Sequence, residues 1–414
     1  MDGGDSRDDD VRGGQGGRGG EHRPVRGHEI ELDTIEFGGL RDGRPRRVWR
    51  KWLALGLAGG AVLAAVAVQS QRGGGGPATG PADPAGRSRM PAAGPPGASP
   101  SGSTPAPAVS QVGHPLLGIT AGWELFGRGP SGVVRIEFAR GRVTRTDVPP
   151  IQSSGPASFV VGRDWAMIRP LDGVPGFVVR DGRPAQPLAG ALSQGGPALP
   201  GPDQEHVWVP AAADGRKMIL VDSAGQPTGE SVALPGGDYA ADSDRAGYLI
   251  YTGTAGVYTA RPDGLRRITY GDLLAAGPTR WLTMECDSRY RCGPVVIDRL
   301  TGSHHTLHAA VDATNHGGGL ISPDGRTAAV FESGAGGSLT IQLFNLASGA
   351  ESRLDVPVES SLDPASMAWS PDSRMLFVAG AGGGLYPVDI ATKRVRPLGV
   401  PLPALTQLAV RPAG

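Results

Sequence analysis

The sequence predicts an all-β fold: a seven-bladed β-propeller of four-stranded antiparallel blades, preceded by a disordered tail, one transmembrane helix and a linker rich in Gly and Pro. Three observations carry this reading. Of 414 residues, 67 are Gly and 38 are Pro, and only 5% are aromatic; that balance suits many short strands and turns rather than a large helical core. An aromatic or apolar column returns about every 42 residues through the C-terminal part of the chain. A turn pattern, Pro-Asp followed by Gly or Ser, recurs ahead of β-rich runs.

The column runs Trp123, Trp165, Trp208, Tyr248, Trp281, Thr327 and Met375, at intervals of 42, 43, 40, 33, 46 and 48 residues. Between its members each unit divides into four short strands. In the sixth these are "GLIS", "TAAVFES", "LTIQLFNL" and "ESRLDVP"; in the last, "SMAWS", "MLFVAG", "GLYPVDI" and "RVRPLGV". Hairpin signals fall at fixed places: "IDRLTG" (297–302), "FNLASG" (344–349), "VDIATK" (388–393) and a shortened "VDSAGQ" (221–226). In each a strand ends on an Asp or Asn whose side chain can bond its own backbone. A repeat of this length with four strands is the pattern of a propeller blade, and the column gives seven. The ends point to closure. "LTQLAVRP" (405–412) is a first strand with nothing after it, and "GWELFGRG" (122–129) is a second strand whose first is poorly defined. The C-terminal strand is expected to complete the first blade and clasp the ring, removing exposed edges.

Four parts follow from composition. Residues 1–51 open with "MDGGDSRDDDVRGGQGGRGG", too poor in apolar groups to offset the entropy of ordering, and are expected to be disordered. Within them "HEIELDTIEFGGL" (28–40) reads either as weakly structured tail or as a docking motif for a cytoplasmic partner. Arg41, Arg44, Arg46, Arg47, Arg50 and Lys51 then make the flank basic. "WLALGLAGGAVLAAVAV" carries no charge from Trp52 to Val68 and would span roughly 26 Å as a helix, slightly under a ~30 Å hydrocarbon core. Residues 52–70 are therefore expected to cross a membrane, with Trp49 and Trp52 at the interface. The basic flank places the N-terminus in the cytoplasm and the rest outside. The alternative is a cleaved export signal: "RRVWRK" (46–51) resembles a twin-arginine signal, and Ala65-Val66-Ala67 offers a cleavage pattern. Residues 71–112 read as a Gly/Pro/Ala/Ser linker, and 113–414 as the β domain.

Candidate sites are few. Cys286 and Cys292 bracket "DSRYR" across one hairpin of the fifth unit, and in an exported domain they read as a disulfide. "SHHTLH" (303–308) gathers three histidines, but His304 and His308 share a strand face while His305 points away; an exposed outer strand is expected, and no metal site. Asp372-Ser373-Arg374 looks like an acid, a nucleophile and a base in a row. Its twin, Asp324-Gly325-Arg326, lacks the serine, so the cluster reads as a turn between a blade's first two strands. No nucleophile elbow, zinc motif, Walker loop or dinucleotide fingerprint occurs, and no cofactor is expected. Forty Lys and Arg balance forty Asp and Glu, so charge gives no case for nucleic acid.

"SPDGR" with Thr-Ala-Ala-Val-Phe after it (Pro323, Asp324, Gly325) and "WSPDSR" with Met-Leu-Phe-Val after it (Pro371, Asp372) resemble the Asp-Gly repeats of TolB-like propellers, relatives of the WD-repeat class. The match is clear in the last two units and faint elsewhere. The resemblance implies a propeller that binds proteins or peptides and implies no catalytic residue. A protein, peptide or envelope ligand on one face or at the mouth of the ring is the expected partner. The other class to weigh is an enzyme with residues drawn from several blades, such as a hydrolase, lyase or cyclotransferase. Acids, His or Arg converging at the channel mouth would favour catalysis; apolar lining would favour binding.

Overall fold

A computed structural model describes residues 107–413 apart from 152–155, 213–215, 235–241, 245–247, 254–255, 262, 309–315, 334–338 and 359–362. The tail, the apolar segment with its ends Trp52 and Val68, and most of the linker lie outside the described residues. Among the described residues no helix is long and apolar enough to cross a membrane.

The repeats fold as antiparallel four-strand meanders because each carries β-rich runs separated by tight turns. The first comprises, from the ring axis outward, β29 (Gln407–Arg411), β2 (Glu124–Gly129), β3 (Gly132–Glu137) and β4 (Arg142–Asp147); β1 (Ala108–Gln111) adds a fifth strand at its outer edge. The second holds β5 (Ala157–Val161), β6 (Trp165–Pro170), β7 (Phe177–Arg180) and β8 (Gln186–Pro187). The third holds β9 (Leu199–Pro200), β10 (His206–Pro210), β11 (Lys217–Asp222) and β12 (Pro227–Ala233). The fourth holds β13 (Asp242–Ser243), β14 (Leu249–Gly253), β15 (Gly256–Arg261) and β16 (Gly264–Thr269). The last holds β25 (Met367–Trp369), β26 (Met375–Ala379), β27 (Leu385–Asp389) and β28 (Arg394–Val395).

These five sheets are separate blades. The fifth repeat, β17 (Asp272–Ala276), β18 (Arg280–Cys286), β19 (Cys292–Asp298) and β20 (His304–Thr306), is fused with the sixth, β21 (His316–Ile321), β22 (Thr327–Ser333), β23 (Leu339–Asn345) and β24 (Glu351–Leu354), into one eight-stranded sheet. The expected seven separate blades are thus corrected to five, with the remaining eight strands continuous. The cause is close approach of two inner strands. β17 and β21 pair in parallel, Ala275 opposite Gly319 and Ala276 opposite Leu320. A Cβ on Gly277, just after β17, would meet Ile321 Cβ of β21 at 2.7 Å. Small residues let the strands come to hydrogen-bonding range, where bulkier side chains would hold them apart.

Apolar layers fill the space between successive repeats. Trp165, Met167 and Val178 of the second pack with Val207, Val209 and Val221 of the third. The column tryptophans lie just before second strands or within their first three residues, and Trp123, Trp165, Trp208 and Trp281 are all buried. The clasp forms as expected. β29 pairs antiparallel with β2 from Glu124–Arg411 to Arg128–Gln407. Its alternation carries the seam: Leu408 and Val410 pack with Met375 and Phe377 of the last repeat, while Ala409 packs with Phe159 and Ile168 of the second. Residues 108–111, the end of the stretch read as linker, form β1 instead, paired with β4 and exposed throughout.

Candidate functional site: the two mouths of the ring channel

The opening turns decide where side chains point at one end of the inner strands. After β21, Ser322 Oγ donates to Asp324 Oδ1 at 2.6 Å and accepts from Thr327 N at 3.0 Å, while Gly325 N donates to Ser322 O at 2.8 Å. After β25 the pattern repeats: Ser370 Oγ donates to Asp372 Oδ1 at 2.6 Å and accepts from Met375 N at 2.9 Å, and Ser373 N donates to Ser370 O at 2.9 Å. Gly325 has φ +69° and Ser373 has φ +60°, the left-handed geometry this turn demands. Asp324 N donates to Ser373 Oγ at 3.0 Å, stitching the two turns together. Ser373 is a turn residue whose hydroxyl accepts a hydrogen bond from the neighbouring turn.

These turns present Pro323 and Pro371 to a cavity of about 510 Å³. The ends of β5 and β29 and the residues after β9 complete its wall: Phe159–Val161, Gly201–Gln204, Ala409, Val410 and Pro412. Contributions from the first, second, third, sixth and seventh repeats meet in one space, which places it at the ring axis, where the inner strands end. Pro200, Pro202, Pro323, Pro371 and Pro412, with Trp369, give it an apolar wall poor in N–H donors. Trp369 is held by its own donor, Nε1 to Leu320 O at 3.2 Å. Two charged side chains stand in the lining, and both are occupied. Arg163 pairs with Glu205 at 2.6 Å. Asp203 accepts from the backbone of Glu205 and His206 and lies 2.9 Å from His206 Nδ1. Burial alone would raise the Asp203 pKa, but these hydrogen bonds and the imidazole hold it below the ordinary carboxylate value.

A smaller cavity, about 300 Å³, lies at the opposite ends of the inner strands, lined by Arg128, Ala157, Asp363, Ser366, Thr406 and Gln407 among others. Gln407 organises it. Its Oε1 accepts from Arg128 at 2.7 Å, and its Nε2 donates to Ala157 O at 2.8 Å and to Asp363 Oδ2 at 3.3 Å. Burial lowers the Arg128 pKa, partly opposed by the charge of Asp363. This mouth joins one guanidinium and one carboxylate through an amide, beside the apolar Val358, Ala379 and Leu405.

The other residues singled out by sequence lie away from both mouths. Cys286 and Cys292 form the disulfide at the tip of the β18–β19 hairpin, directly opposite each other in register. β20 is the exposed outer strand of its repeat, and no group of three potential metal ligands occurs among the described residues. Sequence reading missed Arg128, Asp363 and Gln407 and most of the proline wall. Only Pro323 and Pro371 gave a local signal, because their turns recur.

No protein-family model matches the chain, and no curated protein matches it. Among solved structures, a functionally unknown protein from Desulfotomaculum acetoxidans is similar at 12% identity and TM-score 0.45, over 70% of this chain and 99% of its own. The periplasmic gluconolactonase of Pseudomonas aeruginosa is similar at 15% identity and TM-score 0.42, over 70% and 98%. TolB from Acinetobacter baumannii is similar at 12% identity and TM-score 0.35, over 66% and 61%. At such scores the likeness carries no function across.

Proposed function

We propose that the chain is a membrane-anchored, extracytoplasmic binding protein that takes an apolar segment of a protein or peptide partner into the proline-walled mouth of its ring. The supporting observation is the lining itself. The largest of the cavities described here is walled by five prolines, a tryptophan and aliphatic side chains, and its two charged groups are already paired. Such a wall rewards burial of an aromatic or aliphatic anchor and offers no free acid or base for proton transfer. The anchor rests on Trp52–Val68 and its basic flank; protease added to spheroplasts should remove residues beyond about 75 and spare the tail.

The binding reading is tested by filling the mouth. Pro202→Trp and Pro412→Trp, at exposed lining positions, should abolish in-cell photocrosslinking of the full chain to its partner through a probe at Gln204, with unchanged thermal stability. A partner captured equally well by the filled variants refutes the site. One observation favours the enzymatic alternative: Arg128 and Asp363 converge at the opposite mouth. That reading requires Asp363→Asn to eliminate turnover while leaving partner crosslinking intact.

A further inference from the structure

The fourth and fifth repeats leave a cleft of about 110 Å³ between them, lined by Arg261, Arg266, Arg267, Arg299, Trp281 and His304 among others. It shares no lining residue with either channel mouth. Four arginines line this small space, and what holds each side chain decides what the cleft can take. Part of the answer is Tyr248. Arg261 and Arg299 lie 3.9 and 4.1 Å from its ring centroid; two guanidinium groups cannot share one face at that distance, so they sandwich the ring. Arg299 also bonds the buried Asp244 at 2.5 Å. The other three have no carboxylate within ion-pair range among the described residues. Arg267 stacks on the exposed Tyr270 at 3.8 Å. Arg261 Nε is buried with no hydrogen-bond partner among the described residues, a donor left unmet at a cost that a ligand acceptor would remove. Glu285 of the fifth repeat accepts from Thr269 Oγ1 at 2.7 Å and lies 3.9 Å from His304 Nδ1.

We propose that this cleft binds a phosphoryl group. Its volume equals about four waters, which admits a tetrahedral oxyanion. A carboxylate offers two oxygens and one charge. A phosphoryl group offers more acceptors, and guanidinium forks match it in pairs. The group can arrive as free phosphate or as part of a polyanionic chain running across the exposed Arg266 and Arg267, and both share this chemistry.

The test is calorimetric titration of the full chain at low ionic strength with inorganic phosphate and with a short polyphosphate. Saturable binding is expected, weakened at least about tenfold in an Arg266→Gln/Arg267→Gln variant and unchanged in Arg326→Gln, an exposed arginine of the sixth repeat's turn. Equal affinity per phosphoryl group identifies the free anion as the ligand; much tighter binding of polyphosphate identifies a polymer. In the unaltered protein, phosphate should also protect Arg266 and Arg267 from an arginine-selective dicarbonyl reagent. No saturable binding of either probe, equal binding by the double variant, or absence of protection overturns the proposal.

Discussion

Removing residues 404–414 takes away β29, the strand that closes the ring, along with Leu405, which precedes it. Leu405 and Leu408 are 1% and 2% exposed, and burial of each stabilises by roughly 1.5–3 kcal/mol. Arg411 is also buried; it pairs with Glu124 and, at 2.8 Å, with Asp181 of the second repeat. Breaking a buried pair costs about 3–5 kcal/mol. Here Glu124 keeps Arg135 at 2.5 Å and Asp181 is partly exposed, so about 2–3 kcal/mol is the better figure. The loss therefore reaches about 5–9 kcal/mol, against a total of about 5–15 kcal/mol for a typical domain. The full-length chain lacking 404–414 should show no cooperative thermal transition by near-ultraviolet circular dichroism. Leu408→Ala alone should cost about 2–4 kcal/mol, whereas Val395→Ala, in outer strand β28 and 41% exposed, should stay within about 0.5 kcal/mol. An unchanged midpoint in the truncated chain, or equal effects of the two point variants, would refute the clasp as the element holding the ring.

Ser373→Ala should destabilise by about 1 kcal/mol, because it removes the acceptor of Asp324 N and keeps a side chain at φ +60°; Ser373→Gly should be nearly neutral, since relief of the backbone offsets the lost bond, and urea midpoints separate them. Cys286 and Cys292 should resist alkylation until reduced, and replacing both with serine should raise proteolysis at the 286–292 hairpin tip without shifting the main thermal transition, because the bridge closes one short loop. The Asp298 and Asp389 carboxylates are held below their ordinary pKa, first by the backbone N–H groups of Thr301 and Thr392 respectively. Their stabilisation is complete above the unfolded value of about 3.9 and is lost as pH falls through the lowered folded values. The urea midpoint should therefore fall below about pH 4, and an Asp298→Asn/Asp389→Asn variant should show a shallower acid slope; an identical slope counts against these turns.

What was legible in the sequence was what local chemistry writes. The Pro-Asp-Gly and Pro-Asp-Ser turns, the Asp- and Asn-ended hairpins and the hydrophobic column each sit inside one repeat, so their spacing exposed the strands, the disulfide hairpin and the closing strand. The channel mouth escaped because its wall comes from positions as distant as Phe159 and Pro412, which become neighbours only when the ring closes. The fusion of the fifth and sixth repeats rests on Ala275 facing Gly319, a pairing between inner strands that no single-repeat pattern contains. Strand β1 was hidden by its neighbours: "AVSQ" follows a Pro- and Ala-rich tract, and its pairing with β4 is decided by an open edge rather than by burial.

That edge strand also sets how the domain responds to tension. A pull arriving along the chain from residue 107 acts first on β1, four exposed residues held to β4 by hydrogen bonds alone. The bonds at the loaded end give way one after another, and the peeled strand pays out roughly 13 Å of slack before any load reaches β2. The layers between repeats feel nothing until then. Loss of β1 leaves β4, β3, β2 and β29 paired, so the channel mouths keep their shape whether or not this edge strand is docked.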